Sequence, residues 1–366
     1  MNGEAGHVFS LSRSLVKRGH RVIIACRTQR KGKPVTIMTE KARAIPGVET
    51  IPLLLERGFS LRTDLADLGT LDRLCESNED LTIVHSHRSK EHWLSLLLRR
   101  RHRRIRTVRT RHVVTRTHKH PLNRWLYRKT DAVIATSTAI RDGLAESGIR
   151  SREDIAVLHG GVDTERFNPA VSGEAFRNEF GLVQDENIVL AVGHLDPVKG
   201  YDVLIEAFAE VHRQVPNSRL VIVGEDSSLS QEQFRSQASD LGLAESVILT
   251  GRREDVPQIM AACHVGVISS VGSEGNSRVA LEFMASQKPV VATTVGCLPD
   301  LIRPEQNGVI VKPGDSNVMA ESIIRLLQNP DEASRFGQEG RETAESEYSE
   351  DLVAEQIEEI YSSLLL

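Results

Sequence analysis

The chain has 366 residues, 40% hydrophobic and 26% charged, with four cysteines and a formal net charge of −4. This length and balance argue against a disordered or fibrous chain and predict a soluble globular protein of about two domains, each able to bury a core. Cys26, Cys75, Cys263 and Cys297 are scattered with no C-x-x-C pair, which argues against a disulfide frame or a zinc site and for a reducing compartment.

No segment approaches 18 uninterrupted apolar residues and the N-terminus has no apolar signal core. The expected location is cytoplasmic, with contact at the inner face of the cell membrane peripheral at most. Charge is unevenly spread: residues 1–165 hold 31 Lys+Arg against 18 Asp+Glu, and the remainder 15 against 32. A basic N-terminal half facing an anionic ligand or surface follows from that split.

The chain opens on HVFSLSRSLVKRGH, in which Val8, Leu11, Leu15 and Val16 share a helical face and Gly19 suits a C-cap. RVIIAC then reads as a strand. Helix before strand is half of a βαβ unit, so a first strand is expected upstream of Asn2. Either the sequence begins late, by about 15 residues for one strand and its lead-in, or the sheet keeps an unfilled position. Val48–Leu55 reads as a strand, Asp67–Glu76 as a helix, and LTIVHSH as a buried strand ending in His85 and His87. Ligands collect at the C-terminal ends of parallel strands, which marks His87.

Residues 99–116 carry nine arginines, Arg99, Arg100, Arg101, Arg103, Arg104, Arg106, Arg109, Arg111 and Arg116, joined by His102, His112, His118, Lys119 and His120 close by. Such density can neutralise phosphates of a nucleic acid, a lipid headgroup or a phosphorylated glycan, while a solvated helix end followed by an alternating strand explains part of it. The Arg99–Lys119 stretch has no interleaved aromatics and no nucleic-acid module, so no nucleic-acid partner is expected. DAVIATS is a further strand, and VLHGGVDTERFNP has the composition of an interdomain crossing.

The second half alternates more cleanly. NIVLAVG leads through Gly193, His194 and Lys199 to the amphipathic helix YDVLIEAFAEVHRQ, so a strand, a basic loop and a helix N-terminus form a phosphate site without a Walker motif. RLVIVGED, SVILTGRRED, HVGVISS, PVVATT and NGVIVKPGD complete a doubly wound sheet of about six strands. Within SSVGSEGNSRVALEFMASQKPVVATT, Glu274 and Glu282 stand eight positions apart around a helix expected to start near Ser277, capped by its hydroxyl. Glu282 lies in an apolar helical run and needs a partner there. Spacing alone leaves the pair open between surface residues and a site.

The order of VHSH, DAVIATS, HGGVDTERFNP, VGHLDPVKGYDVLIEAF, LTGRREDVP and SEGNSRVALEFMASQKPVVATT resembles the retaining, nucleotide-sugar-dependent GT4-type glycosyltransferases, over nearly the whole chain. The resemblance implies a GT-B fold of two facing Rossmann-like domains with a cleft between, residues 1–165 with the C-terminal helix 349–366 binding acceptor and 166–348 binding donor. By residue it implies that Glu282 holds the ribose hydroxyls and that Glu274, with backbone around Gly275, Asn276 and Ser277, faces the donor sugar. Lys199 would neutralise the diphosphate, His87 would meet the sugar from the N-terminal domain, Arg252 would line the base pocket, and Gly3 would lie in a glycine-rich loop near the diphosphate. Gly193 and His194 complete the donor loop.

As the resemblance implies, the reaction needs no metal and no cofactor beyond the nucleotide-diphosphate sugar as co-substrate. Glu274 would bind and orient without acting as a nucleophile. Arg109, Arg111 and His112 are expected to meet an anionic or membrane-attached glycan or lipid acceptor, such as one in lipopolysaccharide or surface polysaccharide synthesis. The sequence departs from the pattern at His194, where the family usually has Arg, at Asn2-Gly3, and in the first strand. A nucleotide-sugar epimerase or phosphorylase-like enzyme of the same fold, and a nucleic-acid-binding module, stand as alternatives. A nicotinamide dehydrogenase is excluded by the lack of G-x-G-x-x-G after any expected strand.

Overall fold

The computed structural model describes residues 3–30, 33–34, 37–56, 58, 60–114 and 120–366. Asn2, and Arg116, His118 and Lys119 of the basic run, lie outside them. The chain forms two compact units, Met1–Gly161 with Glu350–Leu366, and Val162–Ser349.

The first unit runs α1 (Gly3–Lys17), β1 (Val22–Arg27), the short pair β2 (Gln29–Arg30) and β3 (Lys33–Pro34), α2 (Ile37–Arg43), β4 (Val48–Leu53), α3 (Leu61–Ser77), β5 (Ile83–Ser86), α4 (Ser89–Arg101), β6 (Arg106–Arg111), α5 (Pro121–Lys129), β7 (Ala132–Ala135), α6 (Thr138–Glu146) and β8 (Ile155–Val157). β5-β6-β7-β8 form one parallel sheet and β1-β4 another. Among the described residues β1 pairs only with β4 and β5 only with β6, so each keeps an open edge.

α1 packs along both sheets because its apolar residues recur at helical spacing. Leu11 and Leu15 share one core with Val22 of β1, Ile83 of β5 and Val108 of β6. Burying Leu11, Leu15 and Val108 stabilises the unit by roughly 1.5–3 kcal/mol each.

The second unit continues with α7 (Glu174–Glu179), β9 (Asn187–Val192), a 3₁₀ turn Pro197–Lys199, α8 (Tyr201–Gln214), β10 (Ser218–Val223), α9 (Gln231–Asp240), β11 (Val247–Gly251), α10 (Val256–Ala262), β12 (Val265–Ile268), α11 (Arg278–Ala285), β13 (Val290–Thr293), α12 (Leu298–Leu301), β14 (Gly308–Val311), α13 (Ser316–Gln328) and α14 (Pro330–Glu347). Its parallel sheet has the order β11-β10-β9-β12-β13-β14. Val and Ile crowd these strands because helices cover both faces, and Ile188, Val189, Leu190 and Ala191 are fully buried. The order reverses between β9 and β12, so the loops after those two strands diverge and leave a crevice at their C-terminal ends.

Val162 N–H donates to Tyr348 C=O at 2.8 Å, and Val162 bridges Ser349; the unit's two ends therefore lie side by side. The last helix, α15 (Glu350–Leu365), belongs to the first unit. Glu350 accepts from Arg13 at 3.0 Å, and Ser14 Oγ donates to Asp351 at 2.9 Å.

Candidate active site

Topology brings Lys199 and Glu274 together. Lys199 ends the 3₁₀ turn after β9, and Glu274 lies in the loop after β12, on the other side of the reversal. Lys199 Nζ and Glu274 Oε1 form an ion pair. Ser270 Oγ donates to the same oxygen at 2.6 Å, and Glu274 is 5% exposed. A buried carboxylate is tolerated here because it has both a cation and a hydroxyl as partners.

The two loops are also tied through backbone. Ser269 Oγ donates to Lys199 C=O at 2.8 Å and Val271 N–H to Val198 C=O at 2.9 Å. Gly296, at φ +62°, stacks its backbone on Glu274: a Cβ there would lie 1.9 Å from Glu274 O. Cys297 N–H donates to that carbonyl at 2.7 Å.

Burial first, then the Glu274 charge, pushes both the Tyr201 hydroxyl and the Cys297 thiol up, so both stay neutral. Tyr201 OH and Asn276 Nδ2 are buried with no hydrogen-bond partner. Buried donors without partners are uncommon, and a ligand oxygen reaching either one would satisfy it.

α11 starts at Arg278 with Ser277 as its N-cap. The expected hydroxyl cap is not made. Ser277 holds an intermediate backbone conformation (φ −89°, ψ 83°), and its N–H donates to Cys297 Sγ at 3.1 Å. With no side-chain cap, the end of the helix leaves amides for a ligand, an arrangement suited to anions and hydroxyls. Gly275 and Asn276 precede it in the same loop. Glu282, one turn into α11, has the partner its apolar setting required: Arg278 Nη2 lies 3.6 Å away, and the Glu282 side chain is 14% exposed.

Three further expected residues follow strands of the same sheet. Gly193 closes β9 at φ +156°, donating to Val223 C=O; a Cβ there would meet Tyr201 OH at 2.8 Å. His194 follows, half-exposed, 3.4 Å from Glu225. Arg252 follows β11, half-exposed and paired with Glu254 at 3.3 Å. Gly3 departs from expectation. It is the first residue of α1 and not part of a loop, because the helical pattern runs back to it.

In the first unit, a group of histidines forms where β5 and β6 end. His87 Nδ1 and His112 Nε2 share a hydrogen bond of 2.9 Å, and the His87 ring stacks on His85 at 4.4 Å. His7 of α1 approaches both, at 5.8 and 5.1 Å between ring centroids. His85 is fixed by Tyr361 OH at 2.6 Å and Thr110 Oγ1 at 2.7 Å. Burial first, then neighbouring imidazoles and Arg109, holds His87 and His112 well below the ordinary histidine range and His85 at about 3, so all three are neutral.

Arg109 is 3% exposed, and its Nε and Nη1 have no hydrogen-bond partner. Arg111 is 7% exposed. His7, His87 and His112 bring one ring nitrogen each within 4.8 Å of one another, a spacing that could hold a metal ion. The buried Arg109 charge, felt by His87 and His112, opposes a dication and favours an anion.

Sequence reading missed Ser270, Tyr201, Cys297 and His7. Ser270 and Tyr201 flank motifs it did mark, and only the packing shows that they turn toward Glu274 and Gly193.

A crevice at the switch point of a doubly wound sheet, with a lysine and a glutamate facing each other beside a helix start, and a second Rossmann-like unit in the same chain, define the GT-B class. The family model described as Glycosyl transferases group 1 matches residues 172–343, and that of Glycosyltransferase Family 4 matches residues 1–166. The GDP-mannose-dependent alpha-(1-6)-phosphatidylinositol monomannoside mannosyltransferase of Mycolicibacterium smegmatis is 32% identical over 259 residues, 65% of this chain and 67% of that protein. EpsD of Bacillus subtilis, named as a glycosyltransferase, is 32% identical over 252 residues, which spans 67% of this chain and 64% of EpsD. HepE of Anabaena, solved with UDP, superposes with a TM-score of 0.81 at 22% identity over 99% of this chain and 96% of that one. The chain belongs to the group 1, GT4-type glycosyltransferase family.

Proposed function

We propose that the protein is a retaining glycosyltransferase that moves a hexose or similar sugar from a nucleotide-diphosphate sugar to an anionic glycan or lipid-linked acceptor. The observation that carries this reading is the Lys199–Glu274 pair at the sheet's switch point, its carboxylate buried beside Ser270. Departure of a nucleoside diphosphate builds negative charge, and a fixed cation with helix-terminal amides stabilises it. Lys199 would take the diphosphate and Glu274 would orient the sugar. Glu282 would hold the ribose, and Gly193, His194, Gly275, Asn276 and Ser277 would surround the phosphates and sugar. Arg252 would flank the base.

His87 would meet the sugar from the first unit. The acceptor hydroxyl would add to the anomeric carbon on the face from which the diphosphate leaves, passing its proton to the departing phosphate. No enzymic nucleophile and no metal is then required. HepE was solved with UDP, and the Mycolicibacterium relative is named for a phosphatidylinositol-based acceptor; both support a nucleotide donor and an anionic acceptor for this chain. Buried Arg109 without a hydrogen-bond partner at Nε or Nη1, beside Arg111 and His112, supports the anionic acceptor in the first unit. Synthesis of lipopolysaccharide or another surface polysaccharide, at the inner face of the membrane, fits that chemistry.

The test is a thermal-shift panel of uridine, guanosine and adenosine diphosphate sugars, since a ligand well above its dissociation constant raises the melting temperature. One base should stabilise the protein, and Lys199→Ala should abolish the response. A flat panel would remove the reading. Release of nucleoside diphosphate without any acceptor would favour an epimerase or phosphorylase-like reaction instead.

A further inference from the structure

We propose that the outward face of α4 and α5 is a membrane-docking surface that binds bilayers containing anionic lipid. It extends the reading of the acceptor as membrane-attached, but it rests on separate observations. On α4, Trp93, Leu97 and Arg100 recur at helical spacing, and on α5 Leu122, Trp125, Arg128 and Lys129 do the same. Leu97, Leu122 and Trp125 are 45%, 56% and 49% exposed. The two helices are neighbours: Trp93 and Trp125 stack at 6.1 Å with 22° between ring planes, and Arg99 Nη1 donates to Lys129 C=O at 2.7 Å.

A lone exposed leucine needs no explanation, but two exposed leucines on the helices that carry a stacked tryptophan pair form a patch. Among the described residues of α4 and α5, the charges without an ion-pair partner on this face are basic. α5 has no acidic residue, and the one acid of α4, Glu91, is turned inward to accept from His87 and Arg88 N–H at 3.1 and 3.0 Å. Arg100, Arg103, Arg124, Arg128 and Lys129 are exposed, and among the described residues none of them is in an ion pair. Tryptophan and leucine that enter the headgroup boundary, ringed by basic residues facing lipid phosphates, match what an interfacial helix requires. Exposed aliphatic side chains have no comparable role on RNA, which would use the ring faces that Trp93 and Trp125 already spend on each other.

The chain has two tryptophans, and both lie on this surface, so intrinsic fluorescence reads it directly. With phosphatidylcholine–phosphatidylglycerol vesicles the emission should shift to the blue and the protein should co-sediment, both effects fading with added salt. Pure phosphatidylcholine vesicles should give little of either. Arg124→Glu with Arg128→Glu, both exposed, should lower partitioning on the order of tenfold or more. Trp125→Ala should weaken it with secondary structure unchanged by circular dichroism. No shift with anionic vesicles, equal binding to neutral ones, or quenching by single-stranded RNA without vesicle binding would overturn the proposal. The nucleotide-sugar melting shift, measured on the same samples, reports the donor site independently, so either reading can fail alone.

Discussion

Lys199 and Glu274 stand 75 residues apart in the chain and meet as an ion pair in which Glu274 is 5% exposed and the Lys199 side chain 27%. Neither charge is comfortable alone. Lys199→Met should leave a buried carboxylate with only Ser270 beside it, costing roughly 1–3 kcal/mol of stability. On the proposed mechanism it should also lower kcat about 10²–10³-fold, the usual loss when one preorganised electrostatic contact is removed. Denaturant unfolding and steady-state kinetics on the same variant check both; unchanged turnover would dismiss Lys199 from the reaction.

The two glutamates should separate in their effects. Glu282→Ala should weaken nucleoside diphosphate binding itself by about 10–100-fold, the worth of a charged hydrogen-bonding group. Glu274→Ala should leave that affinity within a few-fold and depress sugar transfer. Calorimetry with the nucleotide alone, set beside turnover, distinguishes them; equal behaviour would mean that the eight-residue spacing has no functional division.

Acid should unfold the protein through its buried histidines. His85, His87 and His112 are held below the ordinary value of 6.5, and His92 is held at about 2, each chiefly by burial. A depressed histidine takes up its proton more readily in the unfolded chain. Stability is therefore complete above pH 6.5 and falls as pH drops below it, by about 1.4 kcal/mol per pH unit for each such histidine. Melting followed between pH 7 and 5 should show this fall. His92→Gln should reduce the slope, and a flat profile would show that these rings are not buried neutral.

Gly296 should not tolerate a side chain. At φ +62°, alanine is strained by about 1 kcal/mol or more, and its Cβ would lie 1.9 Å from Glu274 O. Gly296→Ala should therefore lower the melting temperature and displace Glu274, with transfer falling more than nucleotide affinity. If stability drops while transfer is kept, the glycine serves folding alone.

The strands and turns of the second unit were legible because its sheet is buried on both faces, which writes continuous apolar runs such as Ile188–Ala191 bounded by glycines. Lys199, Glu274 and Glu282 were visible through spacing and motif. Their partners were not. Ser270, Tyr201 and Cys297 approach only once β9, β12 and α12 are laid side by side, and that order is a property of the sheet. His7 is an ordinary helical residue until α1 carries it to His87 and His112.

The basic run misled in part for the same reason. Arg99 pairs with Asp131, Arg101 with Asp72, Arg104 donates to Asn78 C=O and Arg106 to Leu364 C=O. Those arginines fasten the unit internally, and the free positive charge lies instead on Arg100, Arg103 and the outer face of α5.

The adjacency of Val162 to Tyr348 and Ser349 has a modular consequence. A stretch of 188 residues that starts and finishes at one point is an inset, spliced into the host between Gly161 and Glu350. If the proposed function holds, donor specificity would be transplantable among relatives as a cassette, exchanged at those two seams.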